Sequence, residues 1–482
     1  MRDPRCLPGR DAAGRAEGIT SLNDRLRSRF HFTVPSGWVN DPYGVTWFDG
    51  RYQLFFQFNP TAPQWTARMC WGQTESPDLL RWSAPRIALA PGPDLGCWSG
   101  AVVVDGGRPT IVYTSVSDDN WDRGRIMMAT GDASFGAWIK EPAAVLEPPP
   151  GRDVLHFRDP YLWRTDDGWS MVVGAGLEPA TGAVLGYTSS DLRNWEYRGV
   201  VCSRPADLTE SVWTGSVWEC PQLFELDGAW VLVVSVAHQG LTRHVAYSVG
   251  DFDGSTFTPV RWHRLLHGDS SYATTTFIDA AGRRCALSWS REDGPVEGRE
   301  WAGALSAPLV LRRDGDRVLG APHPDVDGLR TAISTEAGIV RLGSAPFRRG
   351  PVEAQSDVVL AGSLSPADEL DVALLQGTGP VLTLALSGDT LTLRRPGRPD
   401  EQMPLGVAPD GGFELRLLLD AGIAEVFTPG GAAGVRIIPA APIGELVLTV
   451  RQGQPTVERL VVYGMRATVG AASPGPRRPG SS

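Results

Sequence analysis

The sequence predicts an all-β protein, a five-bladed β-propeller followed by a C-terminal β-sandwich. Three observations carry that prediction. All 17 tryptophans lie between Trp38 and Trp301, so composition changes sharply where a first unit would end. Within that span a turn dipeptide followed by an apolar, β-branched or aromatic run recurs at Asp49-Gly50, Gly106-Gly107, Asp167-Gly168, Asp227-Gly228 and Ala281-Gly282, in steps of 57, 61, 60 and 54 residues. After Trp301 the pattern becomes simple alternation, as in VLTLALS, TLTLRR, FELRLLL, AEVF, ELVLTV and VERLVVYG.

Taken in order, residues 1–29, with repeated Arg and Asp, form an N-terminal extension, and 30–312 hold the repeat. A period of about 50 to 60 residues built from short strands and tight turns suits one four-stranded antiparallel blade per repeat. A second marker keeps the same beat: an Asp turn leading to an aromatic at Asp78…Trp82, Asp132…Trp138, Asp191…Trp195 and Asp253…Phe257. The spacing alone leaves one alternative, a pair of β-sandwiches with evenly placed hairpins. Residues 313–330 read as a connector, 331–467 as a sandwich of alternating strands between Gly-, Pro- and Asp-rich turns, and 468–482 as a compositionally disordered tail. With 56 Gly and 39 Pro in 482 residues, a helical bundle is excluded.

Charge and cysteine usage narrow the function. Forty-five basic and 55 acidic side chains give a net charge of −10 without a Lys/Arg stripe, which removes nucleic acid and anionic membrane as partners. Six scattered cysteines, with no CxxC pair, give neither a disulfide framework nor a zinc site. The first thirty residues have no apolar run of a signal peptide, and no segment approaches the length of a membrane span, so a cytoplasmic location is expected. Gly174-Ala175-Gly176 leads to Glu-Pro and not to a helix, so it is no dinucleotide loop, and no GxSxG element is present. No cofactor and no metal are expected.

Counting eight residues back from the Asp of each Asp-Gly turn lands on Asp41, Asp159 and Glu219. In a propeller the first strand of each blade lines the central channel, so equal phases converge on one axis. The two remaining blades carry Trp98 or Ser99 and Tyr272 or Ala273 at that phase, suited to stacking on and hydrogen-bonding a sugar. Proline follows Asp41 and Asp159 directly and Glu219 after one residue, which fixes φ and is expected to end the strand ladder there. Three convergent carboxylates without His or Cys ligands point to glycosidic chemistry, one carboxylate opposite the leaving group and one protonated acid beside it. Crowding is expected to raise the acid's pKa. A calcium site is the alternative for such a cluster.

These residues resemble glycoside hydrolase family 32, the invertase, inulinase and levanase group of β-fructofuranosidases, over 30 to about 465. Trp38-Val39-Asn40-Asp41-Pro42-Tyr43-Gly44 looks like the family's nucleophile motif, Phe157-Arg158-Asp159-Pro160 like its transition-state motif, and Trp218-Glu219-Cys220-Pro221 like its acid/base motif. Supporting segments are Leu54-Phe55-Phe56-Gln57-Phe58-Asn59-Pro60, Cys97-Trp98-Ser99-Gly100, Tyr272-Ala273 to Thr276-Phe277, Trp301 to Ser306, and Ala424-Glu425-Val426-Phe427. The resemblance implies that Asp41 attacks the anomeric carbon of a β-fructofuranosyl unit, that Glu219 protonates the leaving oxygen and then activates water, and that Asp159 stabilises the transition state with Arg158 beside it. It implies sugar binding at Asn40, Gln57, Trp65, Trp98 and Ser99. The implied substrates are sucrose and short fructooligosaccharides, small molecules that can enter a cell.

This chain departs from the family's pattern in three places. Tyr43 stands where the family usually has Asn, and Gln73 where it usually has His; both are expected at the pocket rim, with Tyr43 narrowing it. In Leu266 to Ala273, Leu266 occupies the place of the usual acidic residue, with Asp269 a possible substitute. Other readings are a fructosyltransferase, a levan or inulin exo-hydrolase of the same family, a related arabinan- or xylan-cleaving propeller enzyme, and a non-catalytic fructan-binding propeller, which should lack a catalytic residue.

Overall fold

The computed structural model describes residues 26–117, 120–149, 153–292, 298–338, 340, 342–377, 379–437 and 444–468. The expected N-terminal extension, apart from 26–29, and the expected tail, apart from Thr468, lie outside the described residues. What is described is all-β: strands throughout, with a single short 3-10 helix, Pro324–Leu329. No helix among the described residues is long and apolar enough to cross a membrane, which bears on helices alone.

The strands up to Pro322 form a five-, an eight-, a four- and a five-stranded sheet. The eight-stranded one is two four-stranded antiparallel sets joined by a single parallel pairing, Arg123↔Phe157. The antiparallel pairing therefore runs in five four-stranded sets, the first to fifth sheets. Their innermost strands are Gly37–Phe48, Gly96–Asp105, Val154–Thr165, Val217–Leu226 and Ser271–Ile278. Each inner strand packs against the next, and Ser271–Ile278 packs against Gly37–Phe48. The turn dipeptides found in the sequence join each inner strand to its neighbour in the sheet, with Asp49, Gly50, Asp227 and Gly228 at positive φ as two-residue hairpins require. The second marker is a side-chain device at the outer end. Asp78 accepts from the amides of Leu80 and Arg81, Asp132 from Ser134 and Gly136, Asp191 from Arg193 and Asn194, and Asp253 from Ser255 and Thr256. Each carboxylate thereby satisfies turn amides that no strand reaches.

The fifth sheet differs from the others. Between Arg284–Ser290 and Leu309–Asp314 the chain leaves the sheet, and Trp301–Ala302 pairs in parallel with the first inner strand, Gly37↔Trp301 and Trp38↔Ala302. Leu309–Asp314 then returns and pairs with Arg317–Pro322. The span 313–330, expected as a connector, therefore contains most of a hairpin of the fifth sheet; only the 3-10 helix, capped by the His323 side chain, leads on to the C-terminal strands.

All five inner strands share a local irregularity. Pairing with the second strand slips between Asn40 and Pro42, between Trp98 and Gly100, between Arg158 and Tyr161, between Glu219 and Gln222, and between Tyr272 and Thr275. Asp159, Cys220 and Ala273 sit there at φ of 63°, 47° and 47°. A bulge re-aims a side chain and tolerates a proline that cannot donate to the ladder. The expectation that Pro42, Pro160 and Pro221 end the ladder is thus corrected: the strands bulge at the prolines and continue.

Beyond the helix, two six-stranded sheets enclose one apolar core that includes Val358, Leu360, Leu384, Leu417, Leu448 and Leu460. All six alternating segments read from sequence lie in these strands. The seam with the first five sheets is both apolar and ionic. Leu418, Phe427 and Met465 pack with Phe224, Val326 and Leu329, while His31 bridges Asp420 at 3.0 Å and Glu425 at 3.2 Å. Those two carboxylates outweigh burial and hold the His31 imidazolium up to a pKa of about 9.

Candidate active site

The five bulges face a common cavity of about 350 Å³. Asp41, Asp159 and Glu219 line it together with Asn40, Gln57, Trp65, Trp98, Arg158 and Tyr272. Of the residues expected to be catalytic or to bind the sugar, only Ser99 lies off the wall, and it holds a wall residue: its hydroxyl donates to Asp41 Oδ2 at 3.0 Å while accepting from Gln57 Nε2 at 2.9 Å. Asn40 is oriented by the Trp38 indole, which donates to its Oδ1 at 2.8 Å.

Backbone geometry places each acid. Asp159, in the left-handed region, donates its amide to Thr114 Oγ1 at 2.8 Å, and its Oδ2 accepts the Cys220 amide at 3.0 Å. The bulge of one inner strand therefore fixes the carboxylate of the inner strand before it. Trp218 anchors the other side of Glu219 by packing into the third sheet, where a Cβ at Gly182 would collide with its indole and one at Gly174 with its carbonyl oxygen. The glycines at 174 and 182 thus serve this close approach.

Glu219 is held by two donors. Arg158 Nη1 donates to Oε1 at 3.2 Å and the Tyr272 hydroxyl to Oε2 at 2.7 Å. The Arg158 guanidinium also lies over the Trp98 ring at 5.3 Å, a cation–π contact. Trp98 meets Trp65 edge-on at 5.7 Å, and Trp65 meets Trp121 at 6.3 Å, making an aromatic wall whose outer members are 42% and 45% exposed.

Burial dominates the electrostatics. Desolvation raises Asp41 to about 6; the Asn40 and Ser99 hydrogen bonds oppose this and the charge of Glu219 adds to it. Asp159 rises to about 7, chiefly by desolvation and next by Glu219, against Arg158 and the Cys220 amide. The Tyr272 hydroxyl and Cys220 thiol are pushed up by burial and by the same carboxylates.

Several residues stand elsewhere than expected. Tyr43 is 3% exposed and packs against Trp71, ring centroids 4.2 Å apart, between the first and second sheets, so it does not narrow the rim. The bulge after Asp41 turns it away from the cavity. Gln73 is buried outside the site too, donating to Gln53 and to the Phe135 carbonyl and accepting from the Trp138 indole. Leu266 belongs to the apolar seam, and Asp269 pairs with Arg395 at 2.6 Å. Neither supplies a pocket acid.

Sequence reasoning missed Trp121, Asp122, His156 and Trp289, all on the cavity wall. His156 lies two residues before Arg158 in one strand, a period-2 signal that could have found it. Trp289 pairs in register with Tyr272. The only signal for Trp121-Asp122 is an aromatic beside an acid. Among the described residues one further cluster has metal-ligand spacing, Asp279, Cys285 and His323 in the fifth sheet. There Arg283 donates to Asp279 at 2.6 Å, and His323 Nδ1 accepts the Asp325 amide. His323 Nε2 lies 3.1 Å from Asp279 Oδ2 and 2.9 Å from Arg283 Nη2, so the carboxylate and both ring nitrogens already have protein partners.

A cavity of sugar size, with three carboxylates on its floor and indoles on its wall, defines a glycosidase. Residues 31–322 match the N-terminal domain model of glycosyl hydrolases family 32. The chain is 30% identical over 455 residues to the sucrose-6-phosphate hydrolase of Escherichia coli, covering 88% of this chain and 92% of that one. To the Escherichia coli raffinose invertase it is 32% identical over 454 residues, with the same shares. Its structure superposes on a family 32 β-fructofuranosidase of Bombyx mori, solved also as a variant with sucrose, at a TM-score of 0.79 and 27% identity, covering 93% and 96%. The chain belongs to glycosyl hydrolase family 32.

Proposed function

We propose that this chain is a retaining β-fructofuranosidase that removes terminal fructosyl units from sucrose and short fructooligosaccharides. The observation that carries the reading is the convergence of Asp41, Asp159 and Glu219, at the family's motif positions, in one cavity. Asp41 attacks the anomeric carbon and forms a covalent fructosyl-enzyme; Glu219 protonates the departing oxygen and then takes a proton from water. Asp159, with its Oδ2 held by the Cys220 amide, binds fructose hydroxyls and stabilises the oxocarbenium-like transition state. Asn40, Gln57 and Tyr272 orient the sugar, and Trp65 and Trp98 give it apolar faces. Buried carboxylates that crowd one another serve chemistry at the expense of stability.

The relatives' names and the sucrose-bound Bombyx mori variant support sucrose as substrate. A cavity at the small end of ligand pockets supports exo cleavage, one unit at a time. For the fold we propose a five-bladed propeller, supported by the closed run of inner-strand contacts, with the first unit extending to 322 instead of 312, and a sandwich from 331 to 467. The test is product analysis of the purified protein with sucrose, 1-kestose, inulin and levan in parallel. Fructose from sucrose, with no internal oligosaccharides from polymers, is expected. Transfer of fructose to sucrose as the main product, or no cleavage of any, would overturn the reading.

A further inference from the structure

Arg158 reaches two carboxylates, one within the site and one at its mouth. Nη1 holds Glu219, while Nη2 lies 3.2 Å from Asp122 Oδ1 and 3.1 Å from His156 Nδ1. His156 Nδ1 is itself 3.2 Å from Asp122 Oδ1. Asp122 comes from the third strand of the second sheet, Asn120–Gly131, and its side chain is 62% exposed where the cavity opens. Arg158 Nε is buried without a hydrogen-bond partner, so the guanidinium's hydrogen bonds come from its two ends, with the Trp98 ring beneath it.

We propose that Asp122 is a positioning residue for the acid/base step: by holding one end of the Arg158 guanidinium, it limits how strongly the other end holds Glu219 as an anion. The inference rests on Glu219 being the acid/base. The groups facing Glu219 are Arg158 and Asp159 from one strand, Asp41 from a second, Cys220 beside it, and Tyr272 from a third, with Arg291 over the Tyr272 ring at 5.1 Å. Among them Arg158 alone donates from a full positive charge. Asp122 and His156 are the groups that share it. His156, whose pKa burial and the charge of Arg158 lower, is a neutral spacer and not a second cation.

The sign follows from charge alone. Removing the Asp122 charge leaves the Arg158 guanidinium undivided for Glu219 and deletes a like charge near it. Both changes favour ionised Glu219, so the acid loses its proton at a lower pH.

The test compares pH profiles of kcat/KM for wild type, Asp122→Asn and Asp122→Glu. With sucrose, the basic limb of Asp122→Asn is expected about half a unit or more below that of wild type, and Asp122→Glu keeps the wild-type limb. With an aryl β-fructofuranoside, whose leaving group departs without a proton, all three enzymes should share one basic limb. An unmoved or raised limb for Asp122→Asn on sucrose overturns the inference, as does an equal shift on the aryl donor or activity lost uniformly across pH. A wild-type enzyme that leaves sucrose intact overturns the functional reading, and this inference with it.

Discussion

The same residue type is used in opposite ways at the two ends of the repeated sheets. At the inner bulges Asp41 and Asp159 are stripped of water and crowded by Glu219, and their pKa values rise to about 6 and 7. At the outer turns hydrogen bonds hold three carboxylates below the ordinary range. At Asp78 burial is outweighed by the Arg81 amide and guanidinium and the Leu80 amide. At Asp132 the Ser134 hydroxyl leads, followed by the turn amides, and at Asp253 the Thr256 and Ser255 amides lead. The inner carboxylates cost stability at neutral pH and the outer ones supply it. The repeat thus divides into a scaffold that closes its own turns and a floor kept strained for chemistry.

The largest break in that contrast should come from the floor. Asp41→Ala or Glu219→Ala is expected to lower kcat on sucrose by at least about 100-fold, with a thermal midpoint equal to or above that of wild type. Steady-state kinetics and calorimetry on the same preparations check both halves; a variant that loses activity by unfolding would erase the distinction.

Next in size is the pH dependence. Below about 6 Asp41 takes up a proton and can no longer attack, so kcat/KM should fall with an acid limb near pH 6 and not near 4. Stability runs the other way. Because the folded pKa is raised above the unfolded value of 3.8, Asp41 stabilises the fold below that value, and the contribution is lost as pH rises through about 6. Asp41→Asn should therefore exceed wild type in stability by about 1–2 kcal/mol at pH 8 and match it near pH 3.5. Urea titrations at both pH values would show it.

At the outer turns the effect reverses. Asp78→Ala should lower stability by about 1–2 kcal/mol with kcat unchanged, and the loss should shrink as pH falls through the depressed folded pKa of Asp78, where the wild type gives up the same bonds. The smallest expected effect is on specificity. Tyr43→Asn removes a buried ring between two sheets and is expected to lower stability by about 3 kcal/mol, while the ratio of sucrose to inulin turnover stays as it is.

Legibility in the sequence divides along the same line. Turn chemistry is local, so Asp-Gly and Asp-turn markers revealed the repeat, and a fixed phase from a hairpin reached Asp41, Asp159 and Glu219. Bulges are not local: whether two residues oppose one depends on the partner strand, and that decides where Tyr43 points two positions after Asp41. Gln73 and Asp269 were misplaced because a neighbouring sheet, through Phe135 and Arg395, captures each of them. The hairpin over 309–322 escaped because its partner strand, Arg284–Ser290, lies across a long excursion to the first sheet. The Asp132 turn marks Asp122's strand, but pairing slips between Asn120 and Arg125, so a phase counted from that turn does not carry to Asp122.

The central claim is that Asp41 and Glu219 act in a double displacement, and the fate of azide tests it most directly. Glu219→Ala supplied with an aryl β-fructofuranoside should be rescued by azide, because the small anion attacks the fructosyl-Asp41 intermediate without a general base. The expected product is β-fructosyl azide, two inversions giving net retention; α-fructosyl azide would mean a single displacement and contradict the assignment.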